Sequence, residues 1–231
     1  HRFRSRGDTE VIVHLYEERG DDFVDELNGQ FAIALWDRRR RRLVLARDRT
    51  GIRPLFYAHD RGRLAFASEV KALFTLPGVT RRLDAAGLAG TFSYWAPLAP
   101  GSIFEGVSSL PPGHRMVVDD AGARTECYWD WTFPEQPSAV PSEDECAEEL
   151  RALLIDAVRL QLRADVPVGA YLSGGLDSSI LTALVQIAAD ELEHDRLERR
   201  GVDELLPVQE GAVDRGGQLA RRVVAALGPR R

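Results

Sequence analysis

The stretch Ser173-Gly174-Gly175-Leu176-Asp177-Ser178-Ser179 decides the fold class of the second half of this 231-residue chain. An apolar run at 166–172 leads into it, and a helical stretch from about Ser178 leads out. A strand, a tight glycine turn and a helix start, in that order, are typical of the ligand-binding edge of a parallel α/β sheet. We therefore predict such a sheet around this loop.

The residue types in this loop indicate a phosphate ligand. Gly174 and Gly175 let backbone N–H groups approach an anion without a Cβ in the way, and a helix N-terminus favours negative charge. Ser173 and Ser178 add hydroxyl donors, and Asp177 offers the hard oxygen that Mg²⁺ prefers. An ordinary βα turn whose serines cap the helix is the alternative interpretation.

Composition and charge restrict the other function classes. The chain is long enough for one large or two modest domains. A net charge of −6 argues against broad nucleic-acid binding, and no apolar stretch approaches the length of a bilayer span. Cys127 and Cys146 lack metal-ligand spacing, which favours a reduced, cytoplasmic protein with both side chains buried.

Alternating apolar and polar segments in the first half predict an antiparallel sheet behind an amphipathic helix. The helix follows Asp8, and the run at 31–36 is apolar enough to predict a strand buried on both faces. Further short strands are predicted at 43–46, 55–58, 64–67, 114–118 and 125–128.

Five consecutive arginines, Arg38 to Arg42, separate the first two predicted strands. They could contact nucleic acid or form a solvated hairpin tip. We favour the tip, because one short cluster in an acidic chain offers little surface to follow a phosphate backbone.

A proline-rich, polar segment at 134–141 predicts a linker. Ser142 and Glu145 then form a capping box that opens a helix to about residue 162. The apolar residues of this helix keep a helical period, so we expect one face to pack against the sheet that carries the glycine loop.

The loop resembles the SGGxDSS pyrophosphate loop of the N-type ATP pyrophosphatases. Other motifs resemble the class II glutamine amidotransferase domain: Asp8-Thr9-Glu10, Arg47-Asp48 with Gly51-Ile52-Arg53-Pro54-Leu55, and Ala67-Ser68-Glu69, with Pro111-Pro112-Gly113-His114 and Tyr128-Trp129 near the end of that domain. In this order, over about residues 3–186, the chain resembles glutamine-hydrolysing asparagine synthetase.

This resemblance implies an α+β fold followed by an α/β fold. Residues 1–133 would be the C-terminal part of an antiparallel αββα glutaminase-type sandwich, and residues 142–231 the start of a parallel α/β ATP pyrophosphatase domain, with an atypical tail from about 187. The implied reaction is ATP-dependent amidation of aspartate through β-aspartyl-AMP, with ammonia from glutamine. A shifted reading frame or a local deletion would explain the tail.

The family's site residues carry over as follows. Asp8 matches the aspartate that pairs with the α-amino group of glutamine, although a helix cap is an alternative role for it. The ATP and pyrophosphate set matches Leu172, Ser173, Gly174, Gly175, Asp177 and Ser178, with Asp177 on Mg²⁺. The family's nucleophile is an N-terminal cysteine, whereas position 1 here is His1, so no catalytic residue is assigned and we expect no glutamine hydrolysis by the chain as given.

The implied cofactors are ATP and Mg²⁺, and the implied partners are the small molecules glutamine, aspartate and ATP, with no nucleic acid and no membrane. The oligomeric state, including a homodimer, stays open. Two alternatives also stay open: a relative that closes a β-lactam or peptide macrolactam ring, and an inactive remnant that serves as a binding module.

Overall fold

The computed structural model describes residues 1–5, 7–133, 141–164 and 168–200, with 192–200 as backbone. The chain divides into two units, His1–Pro134 and Glu135–Arg231. Most of the predicted linker at 134–141 lies outside the described residues, as does the predicted tail beyond residue 200.

The described residues of the first unit form three helices, a 3₁₀ helix and seven strands. Their bounds are α1 Asp8–Arg19, the 3₁₀ helix Gly20–Glu26, β1 Ala32–Asp37, β2 Arg42–Arg47, β3 Phe56–Asp60, β4 Arg63–Ala67, α2 Val70–Leu73, α3 Ala85–Tyr94, β5 Val107–Ser109, β6 His114–Asp119 and β7 Gly122–Cys127. The sequence-predicted strands of this half are all present. The unit is therefore α+β with antiparallel sheets, as predicted.

The larger sheet has the strand order β1-β2-β6-β7, with every neighbouring pair antiparallel. The prediction that the strand at 31–36 is buried on both faces is wrong. β1 is an edge strand in which Ile33 is buried, Ala34 is exposed and Trp36 is 57% exposed. β2 lies inside the sheet and is the strand covered on both faces, with Val44, Leu45 and Ala46 all fully buried.

The smaller sheet has the order β4-β3-β5, again antiparallel. The three-residue strand β5 has no counterpart in the sequence analysis. It pairs with β3 over Phe56↔Ser109, Tyr57↔Ser108 and Ala58↔Val107. A strand this short leaves almost no periodic signal, since period-2 alternation needs four or more residues to be visible.

The two sheets and the helices form layers. On one face of the larger sheet, Val44 and Ala46 pack with Tyr16 of α1 and Phe23 of the 3₁₀ helix. On the opposite face, Leu45 packs with Leu55, Leu110 and Met116 between the sheets. Alternate residues of β2 thus fill two different cores, as the period of a strand requires. Each fully buried aliphatic side chain contributes roughly 1.5–3 kcal/mol.

The second unit contains α4 Glu143–Gln161 and α5 Leu176–Arg200. The predicted capping box is present: Ser142 Oγ accepts from the Glu145 N–H, and the Glu145 carboxylate accepts from the Ser142 N–H at 2.8 Å. The predicted sheet partner of α4 is not what the structure shows. Ile155 and Val158 pack against Leu184 and Val185 of α5, and no strand forms among residues 141–164 and 168–200.

Among the described residues, no helix combines the length and the apolar character needed to cross a membrane.

Candidate functional site

The first candidate site residue, Asp8, is the first residue of α1. Gly7 is the N-cap of this helix, so the alternative role of Asp8 as its cap does not apply. The Asp8 carboxylate is exposed and accepts a hydrogen bond from Thr9 Oγ1 at 3.3 Å. A carboxylate has further acceptor positions, so Asp8 can still receive an ammonium group from solvent.

Glu10 fixes the segment that precedes Asp8. Its carboxylate accepts from the N–H of Arg4 at 2.7 Å and from both the N–H and the hydroxyl of Ser5 at 2.6 Å. These hydrogen bonds, with that from the Ser5 hydroxyl contributing most, lower the pKa of Glu10 to about 2. Because a carboxylate accepts such bonds far better than its acid does, Glu10 is ionised over the ordinary pH range and holds residues 4–5 beside the start of α1.

The Arg47-Asp48 pair organises the loop between β2 and β3. The Asp48 carboxylate is buried and accepts from the N–H groups of Ile52 and Arg53, both at 2.9 Å, and from Phe31 N–H at 3.3 Å. The Asp48 carbonyl accepts from Gly51 N–H at 3.0 Å, and Gly51 has a positive φ, 69°. Asp48 therefore replaces the hydrogen-bond partners that this irregular segment cannot find in a sheet.

The other motifs of the first half meet this loop. Gly113 N–H donates to the Asp48 carbonyl at 3.0 Å, and the Gly113 carbonyl accepts from Tyr128 N–H at 2.9 Å. The Tyr128 hydroxyl donates to the Arg47 carbonyl at 2.6 Å, and burial, followed by the charge of Asp48, raises the Tyr128 pKa to about 12. Residues far apart in sequence thus form one hydrogen-bonded scaffold. From the sequence these residues were recognisable only as family markers; the signal for their structural role is a charged pair directly after a buried strand.

The second candidate site, the glycine loop, lies at the start of α5. Gly174 has φ 85°, and Leu176 is the first helical residue. Ser178 Oγ lies 3.0 Å from Ser173 Oγ and donates to the Gly175 carbonyl at 3.0 Å. These hydrogen bonds of the serine hydroxyls stabilise the turn at 173–178.

The outer side of this loop is open. Residues 171–177 are all exposed, and a Cβ added to Gly174 would meet no atom within 4 Å. At Gly174 it is the positive φ, rather than crowding, that requires glycine. Asp177 stands exposed in the first turn of α5. An anion and a metal ion can therefore approach the loop from solvent.

The strand predicted at 166–172 does not form among the described residues 168–172. Tyr171 is 99% exposed and Leu172 is 39% exposed. A strand is held by hydrogen bonds to neighbouring strands, and the described part of this unit provides none. The remainder of the predicted strand, at 166 and 167, lies outside the described residues.

Both cysteines are free and exposed, so the prediction of buried structural roles is wrong. Cys127 ends β7, and its Sγ lies 3.3 Å from the Trp129 carbonyl oxygen. Cys146 lies in the first turn of α4.

Comparison with known proteins finds a family match in each half of the chain. A family model for the glutamine amidotransferase domain matches residues 1–129, and a model for asparagine synthase matches residues 149–198. Among solved structures, the glutamine phosphoribosylpyrophosphate amidotransferase of B. subtilis, complexed with ADP and GMP, gives a TM-score of 0.40 at 20% identity over 56% of this chain and 24% of that chain. That likeness is too weak to carry an argument.

Curated relatives match across the boundary between the two units. Asparagine synthetase (glutamine-hydrolyzing) 3 of Bacillus subtilis is 40% identical over 196 residues, which is 84% of this chain and 31% of the relative. Amidase chry2 of Gibberella zeae is 36% identical over 80% of this chain and 27% of the relative, and asparagine synthetase B of Escherichia coli is 33% identical over 80% and 28%. The chain spans less than a third of the length of these relatives. By these matches, the chain belongs to the glutamine amidotransferase domain family, and its second half carries a segment similar to asparagine synthase.

Proposed function

We propose that this chain takes part in the ATP-dependent amidation of aspartate, with ammonia released by hydrolysis of glutamine to glutamate. The β-carboxylate of aspartate attacks the α-phosphorus of ATP, pyrophosphate leaves, and β-aspartyl-AMP forms. Ammonia then attacks the acyl carbon, AMP leaves and asparagine is the product. The observation that carries the proposal is the order of the two matched segments, an amidotransferase domain followed by an asparagine synthase segment.

In this proposal the Ser173–Ser178 loop binds ATP through the phosphates that leave as pyrophosphate. The open side of Gly174 and Gly175 gives the phosphates access to backbone N–H groups at the N-terminus of the long helix α5. Leu172, which is 39% exposed just before the loop, would contact the nucleotide. Donors arranged in this way stabilise the charge that builds up on the leaving pyrophosphate.

Asp177 fits the role of a magnesium ligand. Its carboxylate is exposed one residue into α5, and hard oxygen ligands together with substrate phosphates are the usual environment of Mg²⁺. When bound, Mg²⁺ supplies electrostatic stabilisation of the phosphate oxygens. Ser173 and Ser178, whose hydroxyl oxygens lie 3.0 Å apart, hold the turn that presents Asp177.

Asp8 fits the role of the glutamine-binding carboxylate. It is exposed and held at the start of α1, while Glu10 anchors the preceding backbone. An ammonium group and a carboxylate attract each other, so Asp8 orients glutamine by its α-amino group. The test is titration of the chain with glutamine: Asp8→Asn should weaken binding at least tenfold, whereas Asp120→Asn, which changes an exposed carboxylate in the β6–β7 turn, should not.

The ATP part of the proposal is tested by calorimetric titration with Mg²⁺-ATP and with pyrophosphate, after circular dichroism has shown that the chain is folded. Asp177→Ala should weaken Mg²⁺-ATP binding more than metal-free ATP binding, because it removes the metal ligand. Gly175→Val should weaken both, because its branched side chain would occupy the path of the phosphates. Asp156→Ala on α4 is the matched control. A folded chain that binds neither ligand would contradict the proposal and favour a remnant without ATP chemistry.

A different acceptor is a second candidate function, favoured by the amidase relatives at 36% and 35% identity over 80% of this chain. The loop chemistry would be the same, but the activated carboxylate would belong to another substrate. ATP–pyrophosphate exchange in the protein extended to the length of its relatives separates the two. Exchange that depends on aspartate supports asparagine formation, and exchange that requires another carboxylate supports the alternative.

A further inference from the structure

A group of histidines and glutamates lies where the N-terminal segment runs beside α1. His1 comes from the segment, and His14, Glu17 and Glu18 come from the helix. The two imidazole rings stack with centroids 4.3 Å apart, and Phe3 packs its edge against His14 at 4.9 Å. Neither the glutamine-binding nor the ATP-binding role involves these side chains.

The potential ligand atoms of three of these residues lie close enough together to share one metal ion. The ligand atoms of His1, His14 and Glu17 all lie within 4.8 Å of one another. Glu17 Oε2 is 3.7 Å from His1 Nδ1 and 3.5 Å from His14 Nδ1. In a tetrahedral zinc site with bonds of about 2.0–2.1 Å, neighbouring ligand atoms are separated by about 3.3–3.4 Å. Both distances to Glu17 Oε2 are therefore within a few tenths of an ångström of that separation.

The second nitrogen of each ring faces a further carboxylate. His1 Nε2 lies 2.9 Å from Glu18 Oε1, and His14 Nε2 lies 3.4 Å from Glu10 Oε1. A carboxylate behind the imidazole is the usual outer arrangement of zinc-binding histidines, because it fixes the ring and makes the ligating nitrogen more basic.

The ring nitrogens of His14 are buried without hydrogen-bond partners among the described residues. Both of its ring nitrogens are shielded from solvent, and within the part of the chain that the structure describes neither has a hydrogen-bond partner. Buried polar atoms without partners are costly. A divalent cation bound to one of these nitrogens would remove that cost for it.

We propose that His1, His14 and Glu17 bind a zinc ion, with water as the fourth ligand and with Glu18 and Glu10 behind the two rings. The His1 ring, now tilted by 26° from that of His14, turns so that both lone pairs point at the ion. The metal would tie the N-terminal segment to α1 near Asp8. Zinc suits this set because imidazole and carboxylate are common zinc ligands and three protein ligands leave one position for water.

The test is titration of the 231-residue chain, free of any affinity tag, with Zn²⁺, and with Co²⁺ as a spectroscopic probe of tetrahedral geometry. We expect one Zn²⁺ per chain and the visible absorption of tetrahedral Co²⁺. His14→Ala and Glu17→Gln should each weaken zinc binding at least tenfold and abolish the Co²⁺ band. Glu18→Gln should weaken binding by about tenfold or more, as loss of an outer carboxylate does.

His59→Ala and Glu149→Gln serve as matched controls, since they change an exposed histidine on β3 and an exposed glutamate on α4. Both should bind zinc as the unaltered chain does. Should His14→Ala fail to fold, Glu17→Gln decides, because Glu17 is 59% exposed and its change preserves shape. Absence of zinc binding, or unchanged affinity in Glu17→Gln, overturns the proposed site.

Discussion

The guanidinium of Arg47, at the end of β2, donates to the carbonyl of Leu110, just after β5, at 2.8 Å and so joins the two sheets. Its other nitrogens donate to the carbonyls of Gly51 at 2.7 Å and Arg53 at 2.9 Å, and Nη1 also reaches Ser109 Oγ at 3.0 Å. Burial lowers the Arg47 pKa, yet arginine stays charged at any ordinary pH. The planar guanidinium of Arg47 therefore donates hydrogen bonds to several acceptors that lie in different directions.

Replacing Arg47 with methionine should destabilise the first unit by about 2–4 kcal/mol, because partly buried carbonyls lose their donors. Arg47→Lys should recover little, since an ammonium group cannot reproduce the planar fork. The measurement is urea unfolding followed by tryptophan fluorescence. All four tryptophans, Trp36, Trp95, Trp129 and Trp131, lie in this unit, so the signal is specific to it. Arg53→Met, which changes an exposed side chain, is the control, and an equal loss in both variants would contradict the role of Arg47.

Gly113 and Gly62 allow backbone strain to be separated from a steric clash. Both have positive φ, 64° and 78°, so alanine should cost about 1–2 kcal/mol at either position. A Cβ at Gly113 would also lie 2.2 Å from the Trp129 carbonyl oxygen, whereas one at Gly62 would meet no atom within 4 Å.

Gly113→Ala should therefore lose about 1–3 kcal/mol more than Gly62→Ala, the usual penalty for forcing an atom into filled space. The comparison uses urea unfolding of the two variants under the same conditions. Equal losses would show that the contact between Gly113 and Trp129 does not restrict this position.

These residues also show what the sequence alone could predict. The capping box of Ser142 and Glu145 was predictable because its partners are three residues apart. The antiparallel class was predictable because apolar runs alternate with polar turns. The partners of Arg47 were not, since Leu110 is 63 residues away and no local pattern records the contact.

Two sequence-based predictions of strands were wrong for the same reason, namely that pairing between strands is not visible in the local sequence. β1 and β2 are both apolar runs, and only their pairing makes β1 an edge strand and β2 a central one. The predicted strand before Ser173 has a suitable composition, yet a strand needs partners, and the described part of the second unit supplies helices alone. The glycine turn and the helix start that follows it were predictable because they depend on residue types that are adjacent in sequence.

The pH dependence of the N-terminal segment should follow Glu10. Its pKa is lowered from 4.5 to about 2, so the carboxylate stabilises the segment fully above about pH 5. That stabilisation is lost as the pH falls from about 5 towards 2, because the folded state must then bind a proton at a group that favours its charged form.

The readout is the amide proton shift of Arg4 and Ser5, whose N–H groups donate to Glu10. In the unaltered chain these shifts should titrate with a midpoint near pH 2, and in Glu10→Gln that titration should vanish. A midpoint near 4.5 in the unaltered chain would mean that these hydrogen bonds do not form in solution.

The five arginines at 38–42 fall into two structural groups. Arg38 to Arg41 form the turn between β1 and β2 and are exposed, as the hairpin interpretation predicts. Arg42 instead begins β2, is 15% exposed, donates from Nε to Tyr16 Oη at 3.0 Å and forms an ion pair with Asp21. The expectation that all five arginines are solvated is wrong for Arg42.

Replacing Arg38 to Arg41 with a neutral turn, with glycine at the positive φ of Arg41, should change the free energy of unfolding by less than about 1 kcal/mol. Arg42→Ala should cost about 1–3 kcal/mol, because it removes the hydrogen-bonded partner of the partly buried Asp21 carboxylate, and Arg124 Nη2, 3.9 Å from Asp21 Oδ2, is too distant to replace that hydrogen bond. Urea unfolding measures both. Binding to RNA is measured in parallel at two salt concentrations. We expect the neutral turn to leave any RNA affinity unchanged, since four charges on one turn cannot follow a phosphate backbone. A salt-dependent RNA affinity that is lost with the neutral turn would instead assign the turn to nucleic-acid binding. An Arg42→Ala variant as stable as the unaltered chain would show that the contacts with Tyr16 and Asp21 contribute nothing to stability.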